Sequence, residues 1–433
     1  MGLHGITLVW AVVLVGLTGY LTFQFTGDDR RTFLPGATSD GHHQIEMVCD
    51  ACHTPFGGVL QDACLNCHQA ELEIAQDSHD EIKFNDPRFA SDLARLDVRR
   101  CVTCHTEHRP EITEAMGVTL PADLCYHCHE AAGEERPTHQ ELGFETCAAA
   151  GCHNYHDNRA LYADFLAQHG TAEVATFPGL LPARMAWVAW DATGREPLSG
   201  ADADGPANSS TELINAWAGS AHASAGVTCT DCHAVGNLPW NDYPSRDVCA
   251  ACHVLEHGDY LSGKHGMRES VGLDPMSSAM ARLRMHPETL STALDCGVCH
   301  DVHAVDVRRA AVDACLGCHS DEHTTAYAES PHFGLWQSEL AGEAAPGSGV
   351  SCATCHLPRE TRRVEGADRI VVQHNQNANL RPSEKMIRDV CLNCHSLALA
   401  IDALADPEQV RRNFVGPSAV HVPSIDMALS QIE

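Results

Sequence analysis

The chain has 433 residues, and its 28 lysine and arginine residues are outnumbered by 58 aspartate and glutamate residues, which gives a formal net charge of −30 at pH 7. Nucleic acid is excluded as a partner, because phosphate recognition depends on basic side chains. The same acidity is typical of a well-solvated surface. The alternative is that it attracts a basic partner protein.

The N-terminal segment, residues 1–27, contains no acidic and no basic side chain. The run from Ile6 to Phe25, ITLVWAVVLVGLTGYLTFQF, is mostly apolar and would measure roughly 30 Å as a helix, enough to cross a bilayer. The alternative is a cleaved signal peptide. A basic n-region and a small-x-small cleavage site are missing, and the run is longer than a usual h-region. We therefore predict a transmembrane anchor.

The 22 cysteines fall into eleven pairs, and a histidine follows each pair directly. Ten pairs have the spacing C-x-x-C-H, whereas the fifth has four residues between its cysteines, in TCAAAGCHNYHD. The motifs are Cys49/Cys52–His53, Cys64/Cys67–His68, Cys101/Cys104–His105, Cys125/Cys128–His129, Cys147/Cys152–His153, Cys229/Cys232–His233, Cys249/Cys252–His253, Cys296/Cys299–His300, Cys315/Cys318–His319, Cys352/Cys355–His356 and Cys391/Cys394–His395.

C-x-x-C-H is the attachment signature of c-type haem. Two thiols a short loop apart each form a thioether with one haem vinyl group, and the next residue then lies under the iron as its proximal ligand. A disulfide framework has no use for the trailing histidine, and zinc sites join two half-sites without needing a histidine after every pair. We predict eleven covalently attached haems, with the longer fifth motif included.

Eleven motifs in 433 residues leave about 39 residues for each haem, too few for separate conventional cores. Haem must then supply much of the buried apolar surface, which fits an aromatic content of only 6%. We predict a mostly α, haem-packed protein with extensive loops and little β structure. The widest gap between motifs suggests this division: an anchor (1–27), a five-haem domain (28–157), a haem-free helical or loop connector (158–220), a six-haem domain (221–400) and a C-terminal tail (401–433).

Two further elements are predicted near these boundaries. The stretch DNRALYADFLAQHG at 157–170 has a capping residue at its start and a terminating Gly170, which indicates a helix. Residues 383–405 are predicted to form one long helix that carries Cys391 and Cys394. The motif-free tail is expected to lie on the surface.

Eighteen histidines do not follow a cysteine pair, which is enough to give every iron a second axial histidine. Position guides the choice, because a histidine shortly after one motif lies beside one haem and can point at its neighbour. The predicted distal ligands are His43, His79, His108, His139, His156, His222, His257, His286, His303, His323, His332 and His374. The predicted non-ligands are His42, His169, His265 and His421.

The dense motifs with neighbouring histidines resemble the paired-motif multihaem cytochromes c, including those of the cytochrome c3 type. In the C-terminal half, GSAHASAGVTCTDCH at 219–233 and the stretches SPHFGLW and GVSCATCHLPR at 330–359 are similar to segments of the hydroxylamine oxidoreductase and multihaem nitrite reductase superfamily. That similarity implies that His222 and His332 are distal ligands. The lysine-ligated C-x-x-C-K motif of the nitrite reductases is absent from the sequence.

These features favour a membrane-anchored electron carrier whose haems lie in the periplasm, because c-type haem is attached outside the cytoplasmic membrane. A quinol-oxidising membrane protein or other cytochromes would be its redox partners, and no residue is assigned a catalytic role. The alternatives are a multihaem oxidoreductase acting on a small nitrogen or sulfur oxyanion at one open haem, and a subunit of an extracellular cytochrome filament.

The motif count can be tested by intact mass. We expect eleven covalently bound haems, because all eleven motifs supply two thiols and a proximal histidine. Replacing both Cys147 and Cys152 with serine should lower the count to ten. A mass of ten haems in the unmodified protein, with free thiols at those two positions, would contradict the assignment of the fifth motif.

Overall fold

A computed structural model gives the fold of the chain. It describes residues 3–27, 30–55, 57–75, 79, 84–114, 117–135, 139, 147, 155–157, 163–170, 194–236, 238–304, 306–364, 366–380 and 383–430. About 53% of the chain is helical and 6% is in strands, which confirms the predicted mostly α fold with little β structure.

The first helix, α1 (Leu3–Thr26), is apolar along its length. Its stretch Gly5–Gln24 is long and apolar enough to cross a membrane, and none of it is buried inside the protein. Leu14 and Val15, for example, are 67% and 71% exposed. This helix therefore has the properties of a membrane anchor or of a signal sequence.

The chain divides into two compact units. The first comprises residues 1–70 and 80–121, and the second comprises residues 71–79 and 122–433. The first unit contains the first three cysteine motifs, and the second contains those from Cys125 onward. The division into five-haem and six-haem domains made from the sequence stays a prediction.

The first unit consists of short elements joined by loops. A two-stranded antiparallel hairpin pairs His53 with Val59, and Gly58 takes the positive φ that the tight turn requires. Besides α1, the elements are β1 (His53–Thr54), β2 (Gly58–Val59), α2 (Gln61–Ala75, which continues into the second unit), α3 (Ala90–Arg95) and α4 (Cys101–Cys104), with 3-10 turns at Arg31–Phe33, His43–Ile45, Cys49–Ala51, Pro87–Phe89 and Pro110–Ile112.

The second unit has the same character over a longer stretch of chain. Its helices are α5 (Tyr126–His129), α6 (Ala132–Glu135), α7 (Ala163–His169), α8 (Thr211–Ala218), α9 (Ala221–Ser224), α10 (Cys229–His233), α11 (Arg246–Ala250), α12 (Val254–Ser262), α13 (Met267–Ser270), α14 (Cys296–Cys299), α15 (Val307–Ala311), α16 (Asp313–Leu316), α17 (Glu322–Ala326), α18 (Pro331–Leu340), α19 (Cys352–His356), α20 (Asn377–Leu380), α21 (Met386–Asp389), α22 (Leu397–Ala405), α23 (Pro407–Arg411) and α24 (Ser424–Leu429). Its 3-10 turns are Gly200–Asp202, Ser278–Met280, Pro287–Thr289, Tyr327–Glu329, Ser383–Lys385 and Cys391–Asn393.

The second unit also contains a β-hairpin that was not predicted from the sequence. Strand β3 (Arg359–Val364) pairs antiparallel with β4 (Ala367–Val372), and Arg359 lies opposite Val372. Arg362 on β3 binds Asp259 of α12 at 2.9 Å, which holds the hairpin against that helix. The hairpin ends just before His374, so it positions a predicted ligand.

A hydrophobic core lies near the C-terminus of the second unit. Buried Leu166 of α7 packs with Ile387, Leu397 and Ile401, and with fully buried Ile425 of α24. The expectation that the tail lies on the surface is therefore wrong, because α24 contributes to this core. The part of the predicted 157–170 helix before residue 163 lies outside the described residues, apart from Asp157.

The predicted long helix over 383–405 is also wrong. The structure breaks it into a 3-10 turn, α21, a second 3-10 turn at Cys391–Asn393 and α22. The break has a local cause: the Ser396 hydroxyl accepts a hydrogen bond from the Leu399 amide and begins a new helix. The cysteine motif itself occupies the interruption between the two α-helices.

The properties of α1 can be tested by fractionation. The full chain should stay in the membrane fraction after a high-salt wash, because burial of about twenty apolar residues is not weakened by screening. A chain that begins at residue 30 should be recovered in the soluble fraction. Recovery of a mature form that lacks the first 25 residues would instead identify a cleaved signal sequence.

Candidate haem-binding sites

Several cysteine motifs lie on single helical turns with a capped start. The side chain of Asp295 caps α14, Thr228 caps α10 and Ser351 caps α19, each by accepting a hydrogen bond from a backbone amide inside the motif. Residues three apart on a helix share one face, so both thiols of a C-x-x-C pair point the same way. The following histidine is either the last residue of the turn or lies directly after it.

Three second cysteines of the motifs are exposed, namely Cys67, Cys128 and Cys252. Cys128 and Cys252 each end a tight turn, where the amide donates to the carbonyl oxygen of the first cysteine of the motif at 3.2 and 3.1 Å. The Cys318 amide makes the same bond to Cys315 at 3.1 Å. The turn holds both cysteines of the motif together, while their role as haem attachment points stays a prediction.

The described histidines form nine pairs in which a motif histidine faces a second histidine. The ring centroids are 5.9–6.4 Å apart in every pair. The pairs are His68 with His42, His53 with His108, His129 with His79, His253 with His222, His233 with His303, His319 with His265, His300 with His374, His356 with His323, and His395 with His332.

This separation fits an iron atom between the two rings. An imidazole nitrogen lies about 2 Å from a bound first-row metal, so two imidazoles on opposite sides of one ion have centroids roughly 6 Å apart. Direct contact would bring the rings closer. Among the described residues, no group of three or more His, Cys, Asp or Glu side chains converges on one point. The residues therefore fit haem with two axial histidines better than zinc.

Hydrogen bonds fix the second nitrogen of many of these rings. The Nδ1 atoms of His108, His233 and His374 donate to the carbonyl oxygens of Gly36, Asn241 and Val372 at 2.8, 2.7 and 2.9 Å. A proton held on Nδ1 leaves Nε2 as the acceptor, which is the tautomer that binds a metal. A Cβ atom at position 36 would lie 2.7 Å from the His108 carbonyl oxygen, so the site needs glycine there.

Burial keeps several of these histidines neutral. Burial, and then the facing His395, lowers the pKa of His332 to about 4. Burial first, and then neighbouring histidines, similarly lowers the pKa of His265 and His356 to about 4. These imidazoles are uncharged at neutral pH, so each keeps the nitrogen lone pair that metal binding requires.

The facing histidines come from segments that belong to a different motif. His108, His303 and His323 follow His105, His300 and His319 within four residues, yet they face His53, His233 and His356. Each such histidine thus lies beside one candidate haem and points at another, as the spacing suggested. His222 and His332 likewise face His253 and His395 rather than the motif that follows them.

Two histidines predicted to be non-ligands lie opposite a motif histidine. These are His42, which faces His68, and His265, which faces His319. Spacing did not single out either of them, because adjacent His43 stands about equally near Cys49 and His265 lies twelve residues beyond His253. His421 instead lies between Asp402 and Asp426, at 2.9 and 2.8 Å.

Five predicted ligands are not among these pairs, namely His43, His139, His156, His257 and His286. All six motif histidines of residues 221–400 already face another histidine, which leaves none for His257 or His286. His43 donates from Nδ1 to the Asp40 carbonyl oxygen while its neighbour His42 takes the place opposite His68. The ligand assignments of His139 and His156 stay predictions, and Cys152 and His153 lie outside the described residues.

Contacts between cysteines give the order of the sites. Thiols of consecutive motifs are within hydrogen-bonding distance in three cases, Cys64 with Cys101, Cys249 with Cys296, and Cys315 with Cys352. At the steps between these, burial and then thiols of the next motif raise the pKa of Cys52, Cys232, Cys299 and Cys355. Sites one to three therefore follow one another in sequence order, and so do sites six to eleven.

Several supporting residues had no signal in the sequence. Val410 accepts the Nδ1 hydrogen bond of His323 at 2.5 Å, and the Phe414 ring lies 6.4 and 6.2 Å from His323 and His332. Trp240 stacks on His233 with centroids 4.6 Å apart and planes 6° from parallel. The motif-free tail thus orients two candidate ligands, and an aromatic side chain fixes a third.

Glu107 is a further supporting residue, and it is charged. It accepts a hydrogen bond from His42 Nδ1 at 2.6 Å and two from Ser39 at 2.7 Å. Burial raises the pKa of Glu107, but the hydrogen bonds from His42 and Ser39 outweigh it and bring the value to about 2. The carboxylate is therefore ionised at neutral pH.

Comparisons with known proteins agree with this geometry. Residues 221–320 match the family model of cytochrome c3, and residues 94–134 match that of the doubled CXXCH motif. These are segments of a multihaem c-type cytochrome. Cytochrome c3-like segments imply electron transfer through haems. No curated protein and no solved structure matches the chain, so the similarity to the hydroxylamine oxidoreductase superfamily stays a prediction.

Two histidine variants test the pairing in this cytochrome. His265→Ala should create one high-spin ferric haem, at Cys315/Cys318, because it removes the ring that faces His319. His257→Ala is the matched control, since His257 lies outside the pairs, and should leave the spectrum low-spin. A high-spin haem in the His257 variant and none in the His265 variant would show that the pairing is wrong.

Proposed function

We propose that the chain is a membrane-anchored undecahaem cytochrome that relays electrons along bis-histidine haems on the periplasmic side of the membrane. Bound haem would supply one-electron redox chemistry, while the protein fixes the axial ligands, the order of the sites and their surroundings. The proposed ligands are the eleven motif histidines together with the nine histidines that face them, including His42 and His265.

The observation that carries this proposal is the pairing of histidines across a gap of about 6 Å. Two histidines per iron occupy both axial positions, so a substrate would have no free position to bind. A carrier needs this arrangement, whereas a reductase or oxidase needs at least one open position. The nine described pairs favour the carrier.

The contacts between cysteines support a path that follows the sequence. In sites six to eleven, a thiol of each motif interacts with a thiol of the next: Cys232 with Cys249, Cys249 with Cys296, Cys299 with Cys315, Cys315 with Cys352 and Cys355 with Cys391. Because haem would be attached through these sulfurs, this proximity implies closely packed haems. We propose that electrons pass along each series in the order of its motifs.

The anchor and the charge support the proposed location and partners. The exposed apolar helix α1 would hold the chain at the cytoplasmic membrane, near a quinol-oxidising membrane protein as donor. The net charge of −30 favours a basic protein, such as another cytochrome, as the second partner.

The proposal predicts the spectrum and the ligand binding of the ferric protein. It should be almost wholly low-spin and should bind cyanide and nitrite poorly, because both axial positions are filled. His222→Ala or His332→Ala should each create one high-spin, cyanide-binding haem while mass spectrometry still counts eleven haems. Electron passage should slow in both variants.

An enzyme would give a different result in the same assays. A high-spin haem in the unmodified protein that turns over nitrite or hydroxylamine would contradict the carrier proposal and favour an oxidoreductase. The alanine variants serve as the positive control for detecting an open haem, so a negative result with the unmodified protein is informative.

A further inference from the structure

A single turn of the first unit, residues 105–108, contributes to three candidate haem sites. His105 is the motif histidine of the third site, and His108 faces His53 of the first. Between them, Glu107 binds His42, which faces His68 of the second site. His108 has a positive φ of 63°, which a non-glycine residue adopts at a cost. That conformation lets neighbouring residues serve different sites.

The hydrogen-bond acceptors at the three sites differ in charge. His108 and His105 donate from Nδ1 to the neutral carbonyl oxygens of Gly36 and Gly117, at 2.8 and 3.1 Å. His42 donates to the carboxylate of Glu107 at 2.6 Å. Elsewhere, the nearest carboxylate oxygens to the motif histidines His253 and His319 are 4.0 and 3.9 Å away, beyond hydrogen-bonding distance.

We propose that Glu107 is a positioning residue that lowers the reduction potential of the haem at Cys64/Cys67 below those of its two neighbours in the first unit. This inference rests on the proposed function, because it requires haem between His42 and His68.

The physical reason is the strength of the bond to the carboxylate. A charge-assisted hydrogen bond is roughly twice as strong as a neutral one, and such a partner raises the basicity of the ligating histidine. A more basic imidazole stabilises the ferric iron, which carries one more positive charge than the ferrous iron. On reduction the electron goes to the iron and the proton stays on Nδ1, so no proton transfer is required.

The position of this haem in the first unit determines how its lower potential would affect electron transfer. Cys64 contacts Cys101 of the third motif, and Cys52 of the first motif lies near Cys64 and Cys67. The second site is therefore the middle of three. A middle haem of lower potential would make electron transfer onto it energetically uphill. Electrons in the first unit would then mainly occupy the two outer haems.

The test is an EPR-monitored redox titration of the full chain with its haems. His42→Ala first identifies the haem, as the low-spin signal that is lost. In Glu107→Gln this signal should titrate at a higher potential, with a change of about tenfold in its reduction equilibrium constant, or about 59 mV for one electron. Glu107→Asp should restore part of the shift. An unshifted signal in Glu107→Gln would overturn the inference.

Glu111→Gln is the matched control. It removes the same charge four residues away, from a carboxylate that binds Arg109 at 2.8 Å, and should leave the potential unchanged. An equal shift in this variant would mean that net charge and not the hydrogen bond to His42 sets the potential, which would also overturn the inference.

A further variant keeps the inference testable if Glu107→Gln does not fold. Ser39→Ala removes the hydroxyl that shares Oε1 of Glu107 with His42, so the potential should fall. A rise or no change would contradict the inference. Haem counting by mass distinguishes failure of the proposed function from failure of this inference. Fewer than eleven haems in the unmodified protein contradicts the proposed function, whereas eleven haems with unshifted potentials contradicts only this inference.

Discussion

The pairing of two histidines across nine of the candidate haem sites is the constraint on which the rest of this structure depends. Every described pair joins a motif histidine to a histidine from another segment, such as His300 to His374 or His319 to His265. An iron atom between them would act as a cross-link between distant parts of the chain. Under that constraint, short helices joined by loops can form a stable fold, because the cross-links limit the conformational freedom of the unfolded chain.

The hydrophobic core formed by protein side chains can be small for the same reason, because the iron atoms would cross-link the chain. The core around Leu397 and Ile425 lies near the C-terminus, far along the chain from the first motifs. It supports α21, α22 and the tail, and through Val410 and Phe414 the tail orients His323 and His332. Packing and ligand placement are thus joined at the C-terminal end, where a hydrophobic cluster holds the segment that positions two distal histidines.

Among the described sites, backbone carbonyl groups and the carboxylate of Glu107 accept hydrogen bonds from the histidine rings and fix their orientation. A carbonyl acceptor fixes the tautomer and the ring orientation without adding charge, as at His108 and His374. The carboxylate of Glu107 does the same for His42 and adds a negative charge. Sites with identical ligands can therefore differ in potential, which a chain of otherwise similar haems needs if electrons are to be held at particular positions.

The sequence by itself determined the cysteine motifs, because haem attachment depends on residues that are at most six positions apart. The sequence also predicted the mostly α fold. It also predicted that histidines such as His108 and His303 face a neighbouring site. It could not identify His42 or His265, nor Glu107, Trp240 and Phe414, and it placed the tail on the surface. The tertiary structure decided these because a facing ligand and its hydrogen-bond partner come from distant segments, and their distance along the chain leaves no spacing pattern in the sequence.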